Sequence, residues 1–306
     1  APMPIYMGYA SNTYTNIGEA NNRGIEMNLE WRDKTESGFE YNVGVNMSTI
    51  RNRMTKLNGG TPISDGPFRN GSMYLTYTNE GMPIGAFWGY KTDGLIQTQE
   101  QLNAVKRADF QPNAELGDVL FVDTNGDGKL DSSDRCMIGN PIPDIIYGIN
   151  MGMAWKGFDL NLQFGGTIGN QIFNAMRYYT YFPNDITNKD RALMNYWTPN
   201  NTNTDIPRLT ATDVNDNDRF SDMYVENGTY FRLRNAQLGY TLPASLTQRI
   251  KLQKVRFYVS GQNLFTISSY SGMDPEVGQS SSLSRGIDYG IYPQNISFTG
   301  GINVTF

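Results

Sequence analysis

The sequence contains no histidine, which removes the commonest general base, the usual partner of a serine or cysteine nucleophile, and the commonest zinc ligand. Its single cysteine, Cys136, cannot form an internal disulfide, so bridges do not staple the chain and cysteine usage does not report its compartment. Long apolar runs are missing as well. No stretch approaches the ~20 consecutive apolar residues a spanning helix requires, which excludes a helical membrane protein. The 25 Lys and Arg are outnumbered by 30 Asp and Glu and are scattered. Nothing resembles the cationic stripe of a nucleic-acid surface, so neither DNA nor RNA is an expected partner. No phosphate-cradling loop and no nucleophile elbow is present. The opening residues APMPIYMGYA show no basic n-region, apolar h-region or cleavage site. The expectation is that a leader has been removed or that the chain is part of a longer one.

What is present is alternation. Phe158, Leu160, Leu162 and Phe164 alternate with Asp159, Asn161 and Gln163, and the chain ends on Ile296, Phe298, Ile302, Val304 and Phe306. A second pair of segments places Ile25, Met27, Leu29 and Trp31 on one face, turns through KTESG, and returns with Phe39, Tyr41, Val43, Val45 and Met47. The segment from Ile145 to Trp155 leads through Lys156 and Gly157 into the Phe158 strand as another tight hairpin. A third pair, about 229–242 and 254–267, is joined by PASLTQRIKLQ, in which Pro243 opens one helical turn. Within its first strand the apolar phase shifts between Leu233 and Ala236, which predicts a bulge near Asn235.

Only 39% of the residues are hydrophobic, yet a barrel strand needs only ~10 residues with every second one apolar, so low hydropathy is no argument for a water-soluble protein. The fold class expected is all-β: about eight antiparallel strands, counting one within residues 4–16, belonging to a large transmembrane β-barrel. Trp31, Phe39, Tyr41, Trp155, Phe158, Tyr240, Phe257 and Phe306 are expected to form its two aromatic girdles. Connections at about 53–144, 170–228 and 269–291 are far longer than usual and are read as extracellular loops that carry function. Helices near 98–108 and 190–197 would decorate them. The alternative is a soluble, secreted β-sandwich, a glycan-binding or adhesive module, in which a second sheet instead of lipid covers Phe158, Leu160, Leu162 and Phe164.

The sharpest local motif is DTNGDGKLDSSD. Asp123, Asn125, Asp127, Asp131 and Asp134 stand at positions 1, 3, 5, 9 and 12 of a Ca²⁺-type loop, with Gly128 at the sharp turn and Lys129 offering its carbonyl at position 7. Asp134 replaces the usual Glu and has a shorter reach, which leaves Ca²⁺ and Mg²⁺ both open. The flanks lack the paired helices of a sensor, so the expected role is a structural clip. The other reading is a metal-free turn in which these side chains cap backbone N–H groups. Asp213, Asp216, Asp218 and Arg219 are read as a solvated loop.

Five segments together carry a family resemblance: NIGEANNRGIEMNLEW (16–31), EGMPIGAFWGYKTDGLIQ (80–97), the stretch from GDVLFVDTNGDGKLD to FDLNLQF (117–164), YFRLRNAQLGYTLP (230–243) and VRFYVSGQNLFTIS (255–268). They resemble, in order, the C-terminal part of SusC/RagA proteins, the TonB-linked outer-membrane proteins of the Bacteroidetes type. The resemblance implies that residues 1–306 form the C-terminal portion of a TonB-dependent transporter barrel. It further implies import of oligosaccharides or peptides through the outer membrane with a SusD-like lipoprotein lid, energised by TonB, in contact with outer-membrane lipid and without catalysis. Trp88, Tyr90, Tyr178, Tyr179 and Tyr181, in the long connections, are the residues expected to contact substrate or lipoprotein.

Overall fold

The computed structural model of the chain describes residues 18–57, 60–69, 71–182, 188–278 and 281–306. The alternating segments become one meander of seven strands: β1 (Glu26–Lys34), β2 (Glu40–Thr49), β3 (Ile145–Trp155), β4 (Phe158–Ile168), β5 (Tyr230–Thr241), β6 (Lys254–Ser268) and β7 (Ser297–Thr305). Each pairs antiparallel with its neighbour in sequence, and β1 and β7 are the edges. The strand expected within residues 4–16 lies outside the described residues.

Register turns alternation into two faces. Trp31, Val43, Met151, Leu162, Ala236, Gly261 and Phe298 lie opposite one another across all seven strands. One residue away, Glu30, Gly44, Asn150, Gln163, Asn235, Gln262 and Ser297 make the corresponding row on the other face. Keeping these rows continuous requires the bulge. Phe164 lies opposite Leu233 and Gln163 opposite Asn235, so Arg234 is the extra residue that returns Ala236, Leu238 and Tyr240 to the face of Phe231 and Leu233.

The apolar face is bare. Phe158, Leu238, Val259 and Ile302 are 54, 48, 60 and 61% exposed, and among the described residues no second sheet covers them. That overturns the sandwich reading, whose core would be this surface. The aromatic residues also sort differently from the expectation. Trp155, Phe158, Tyr240 and Phe257 form one row at a single end of the sheet, with Tyr41 close by, while Trp31 lies further in. The second belt, at the other end, is built from Tyr147, Phe164, Phe231 and Phe265, whose rings are 5.1–6.5 Å from that of Phe231. From the Phe158 row to the Phe164 and Phe231 rows is six to eight residues, roughly 20–26 Å along a strand, which matches an apolar band ~25 Å tall.

Short connections gather at one end. The β3–β4 turn is two residues, Lys156 at φ 49° and Gly157 at φ 87°, the mirror-image turn that fits the twist of a hairpin. Only glycine fits at 157, since a Cβ would come 2.8 Å from the carbonyl oxygen of Thr241. Between β5 and β6 the chain makes one helical turn, Ala244–Thr247, directly after Pro243. All three long connections leave from the opposite end.

In a bilayer, Leu162→Arg is expected to cost about 2–4 kcal/mol of folding stability, whereas Gln163→Arg on the polar face costs no more than ~1 kcal/mol. Urea titration of refolding into lipid vesicles reads both. Equal costs would mean that lipid does not cover the Leu162 face.

Candidate functional site

The long connections are folded, not extended. Residues of all three bury Phe68, Leu75, Phe87, Phe173, Tyr178, Phe220, Tyr224 and Ile287 in one core. Edge-to-face rings dominate it, with Phe68 and Tyr178 centroids 4.9 Å apart and Phe173 and Phe220 4.7 Å apart. Small sheets support the core. Ile63–Phe68, Met73–Thr78, Ala86–Gly89 and Cys136–Gly139 form one, while Val225–Asn227, Gln171–Asn174 and Ile287–Asp288 form another. A second core holds Leu95, Phe110, Val119, Phe121 and Trp197. Gly117, at φ +85°, passes under Trp197, where a Cβ would lie 2.2 Å from the ring. The connections therefore make a cap with its own interior.

The helix expected at 98–108 is present as α1 (Gln99–Arg107), started by a capping box between Thr98 and Gln101. The one expected at 190–197 is only a 3₁₀ turn, Arg191–Asn195, begun by Asp190. A short helix the sequence reading did not anticipate, α2 (Ala175–Tyr181), is capped by Asn174.

Tyr178 is displaced from its expected role. It is 4% exposed, and its hydroxyl donates to Asp218 at 3.3 Å. Burial and the neighbouring Asp218 push the phenol well above its usual range. Its ring is core, so it offers no contact surface. Trp88, Tyr90, Tyr179 and Tyr181 are only half-buried. Trp88 stacks on Tyr77 at 4.6 Å, Tyr90 lies under the Arg219 guanidinium at 5.3 Å, and Tyr181 lies under that of Arg177 at 4.9 Å. The five aromatics are not brought into one patch.

The stretch at 213–219 is not simply solvated either. Asn215 and Asn217 are buried and, with Gln111, supply side-chain amides to the backbone of Val119 and Phe121, completing that short strand as a neighbour would. Burial raises the Asp213 carboxyl.

In the Asp123–Asp134 loop every acidic or amide side chain turns back on its own backbone. Asp123 accepts N–H groups from Gly126 and Gly128, Asn125 from Asp127, Asp127 from Lys129, Asp131 from Ser133, and Asp134 from Thr124 and Asp131, at 2.7–3.0 Å. Among the described residues no group of three or more His, Cys, Asp or Glu side chains is placed to hold a metal.

Sequence reading passed over the charges that tie the third connection down. Arg232, on the polar face opposite Gly165, is 2% exposed. It meets Asp274 at 2.6 Å, Glu276 at 2.9 Å and the Thr266 hydroxyl at 2.8 Å, and Arg234 meets Glu276 at 3.1 Å. The signal was available: Arg-x-Arg in a strand and Asp-x-Glu in a connection share a two-residue spacing. Asp274 also accepts the N–H groups of Glu276 and Gln294, and the connection is fixed further by Tyr270 to Asp288 and by Ser271 to Glu226. Between this strap and α2 lies a cavity of about 330 Å³.

No protein-family model matches the chain. It is similar to the TonB-dependent receptor P3 of Formosa agariphila, 37% identical over 317 aligned positions that cover 100% of this chain and 30% of the relative. TonB-dependent receptor SusC of Bacteroides thetaiotaomicron is 26% identical, with 99% and 28% covered. Among solved structures, the RagAB peptide transporter superposes on all of this chain and 31% of its own with a TM-score of 0.76 at 25% identity. The chain thus spans about three-tenths of the length of the proteins it matches.

Burial pushes the Asp274 carboxyl up, but the N–H groups of Gln294 and Glu276 and the Arg232 guanidinium outweigh it and hold the group below the usual carboxylate range. A carboxyl lowered in the folded state contributes stability above its unfolded pKa, near 4, and loses it as pH falls through the lower folded value. A spin label at position 273 is therefore expected to become more mobile as pH drops below about 4, and Asp274→Asn should carry that mobility at neutral pH. A label indifferent to both would show that the ion cluster does not hold the strap.

Proposed function

Because this chain is homologous to part of the outer-membrane TonB-dependent receptors of the SusC and RagA type, we propose that it supplies barrel wall and substrate-facing cap to a TonB-dependent importer of oligosaccharides or peptides. The observation that carries the reading is the two-faced sheet. Its bare apolar rows suit lipid and its polar rows suit a water-filled or plugged lumen. The short turns then face the periplasm and the folded connections face outward, where a SusD-like lipoprotein closes over them.

In this reading the chain performs no chemistry on its cargo. Import is driven by energy passed from TonB through a part of the receptor beyond this chain. Trp88, Tyr90, Tyr179 and Tyr181 remain the proposed contacts with cargo or lipoprotein, and Tyr178 acts behind them as core. The Asp123–Asp134 loop is proposed as a structural clip for Ca²⁺ or Mg²⁺, on the strength of its spacing. An oxygen that accepts one backbone N–H keeps a second lone pair for a cation.

Cells carrying the full receptor are expected to take up a peptide or an oligosaccharide only while TonB is present, and the receptor is expected to copurify with a surface lipoprotein. Uptake unaffected by loss of TonB would overturn the proposal.

For the loop, adding Ca²⁺ to chelator-stripped receptor should raise its unfolding temperature, and Asp127→Asn should diminish the rise. If the temperature does not move, the loop is a turn held by its own hydrogen bonds.

A further inference from the structure

Basic residues are scattered along the sequence, but three arginines meet in the structure. Beyond β1 and β2 the chain continues as a second antiparallel pair, Gly18–Arg23 with Arg51–Leu57. Register carries over from one pair to the next. Glu26 lies opposite Ser48, the Thr49 N–H donates to the Ile25 carbonyl, and Arg23 lies opposite Arg51, three residues further on each strand. The two faces therefore carry over as well. Asn52 and Met54 turn toward the cap, where Asn52 accepts the Ile84 N–H and Met54 is buried. Arg23, Arg51 and Arg53 continue the outward, apolar face of Ile25 and Leu29, which are 70% and 58% exposed. With Asn21 and Thr55 they line an open hollow of about 430 Å³. Arg53 lies across Gly81, where a Cβ would come 3.3 Å from its guanidinium.

This cluster lacks counter-charge. All three arginines are exposed, and among the described residues none is ion-paired; Arg23 only donates from Nε to Asn21 at 3.3 Å. Like charges directly opposite each other destabilise a strand pair. The next charged pair along, Glu19 opposite Lys56, has opposite signs, and Arg32 and Lys34 at the far end of β1 meet Glu30 and Glu40. An anion between Arg23 and Arg51 would remove the repulsion. Depth indicates which anion. Arg23 stands two residues beyond Ile25, roughly 7 Å along a strand, and a headgroup layer is about 5–8 Å deep on each side of the hydrocarbon. Phosphate has enough oxygens to accept the forked donors of more than one guanidinium, and a lipid phosphate also brings acyl chains to the bare rows below. A second copy of this chain docked by a two-fold axis through the patch would set arginine against arginine.

We propose that Arg23, Arg51 and Arg53 hold the phosphorylated headgroup of an outer-leaflet lipid whose acyl chains lie along Ile25 and Leu29. Its placement in the outer leaflet rests on the barrel reading, which turns the long connections outward.

The test is lipid retention by the full-length receptor in detergent, read by mass spectrometry of the intact complex. Diphosphoryl lipid A is the probe, and its dephosphorylated form and inorganic phosphate are the comparisons. Wild type should retain lipid A and release the dephosphorylated form. Arg23→Gln, Arg51→Gln and Arg53→Gln, all at exposed positions, should each weaken retention about fivefold, and the triple variant about a hundredfold. Lysine at the three positions should restore part of it, while Arg32→Gln at the other end of β1 should change nothing. Unchanged retention in the triple variant overturns the site, as does equal retention of the dephosphorylated lipid. Displacement of lipid A by equimolar inorganic phosphate would show a site for soluble anions and also overturns it. Loss of lipoprotein or of a second receptor copy from the triple variant, with lipid A still bound, assigns the patch to protein and overturns it too. In detergent the result depends neither on TonB nor on which side the connections face. Retention lost in the variants therefore upholds the site even in a receptor whose uptake ignores TonB, which would remove only the importer reading.

Discussion

A strand that crosses hydrocarbon must satisfy every backbone N–H and C=O by pairing, because lipid offers no substitute for water. Pairing in turn fixes which side chains share a row, and a slip of one residue would exchange the two faces. In this chain the rows remain continuous from Trp31 to Phe298 across seven strands. That continuity depends on the bulge at Arg234. Without it, either Phe231 and Leu233 or Ala236 and Leu238 would face the polar side. The cost of a locally broken ladder is small beside several apolar side chains directed into water and as many polar ones into lipid.

The same bulge places the charges of the site. On the Gly165 side of the sheet, glycine leaves room beside Arg234, and Arg232 and Arg234 together reach the strap. The ion pairs of the molecule are unequal in consequence. Arg32 with Glu30 and Lys34 with Glu40 are exposed on both sides and contribute ~0–1 kcal/mol each. Arg232 and Asp274 are 2% and 6% exposed, and removing one partner from such a pair leaves a buried charge, at a cost of roughly 3–5 kcal/mol. The buried Arg232–Asp274 pair therefore holds the strap together with the Ile287–Phe173 strand pairing and the Ser271–Glu226 hydrogen bonds, and the cavity beside α2 takes its shape from these attachments.

Strands were legible in the sequence because the period of two is enforced by lipid on one side and polar surroundings on the other. The hairpin turn at Lys156 and Gly157, the shift near Asn235 and the turn after Pro243 were legible for local reasons: positive φ, phase and ring geometry. The cap was not. Its strands are two to seven residues long, too short to show a period, and their partners come from connections far apart in sequence. Tyr178 illustrates the loss. Beside Tyr179 and Tyr181 it reads as one of three surface aromatics, but on the helix only Tyr178 is buried, against Phe68 and Tyr224, while Tyr179 packs half-buried on Phe68 at 5.1 Å. Nothing local to residues 178–181 says which.

A cap with its own interior also follows from the length of the connections. Closing and ordering segments of this size costs conformational entropy that hydrogen bonds at the surface cannot offset. Buried aromatics can: each large ring removed from water contributes roughly 1.5–3 kcal/mol, and every one of the three connections contributes to the common cluster, Ile287 from the third included. Such a cluster holds only while all three are docked, so an attachment at Arg232 acts on the whole cap and not on one loop. Rigidity of this kind also fixes half-buried side chains of the cap, since Trp88 is held by Tyr77 and Tyr181 by Arg177.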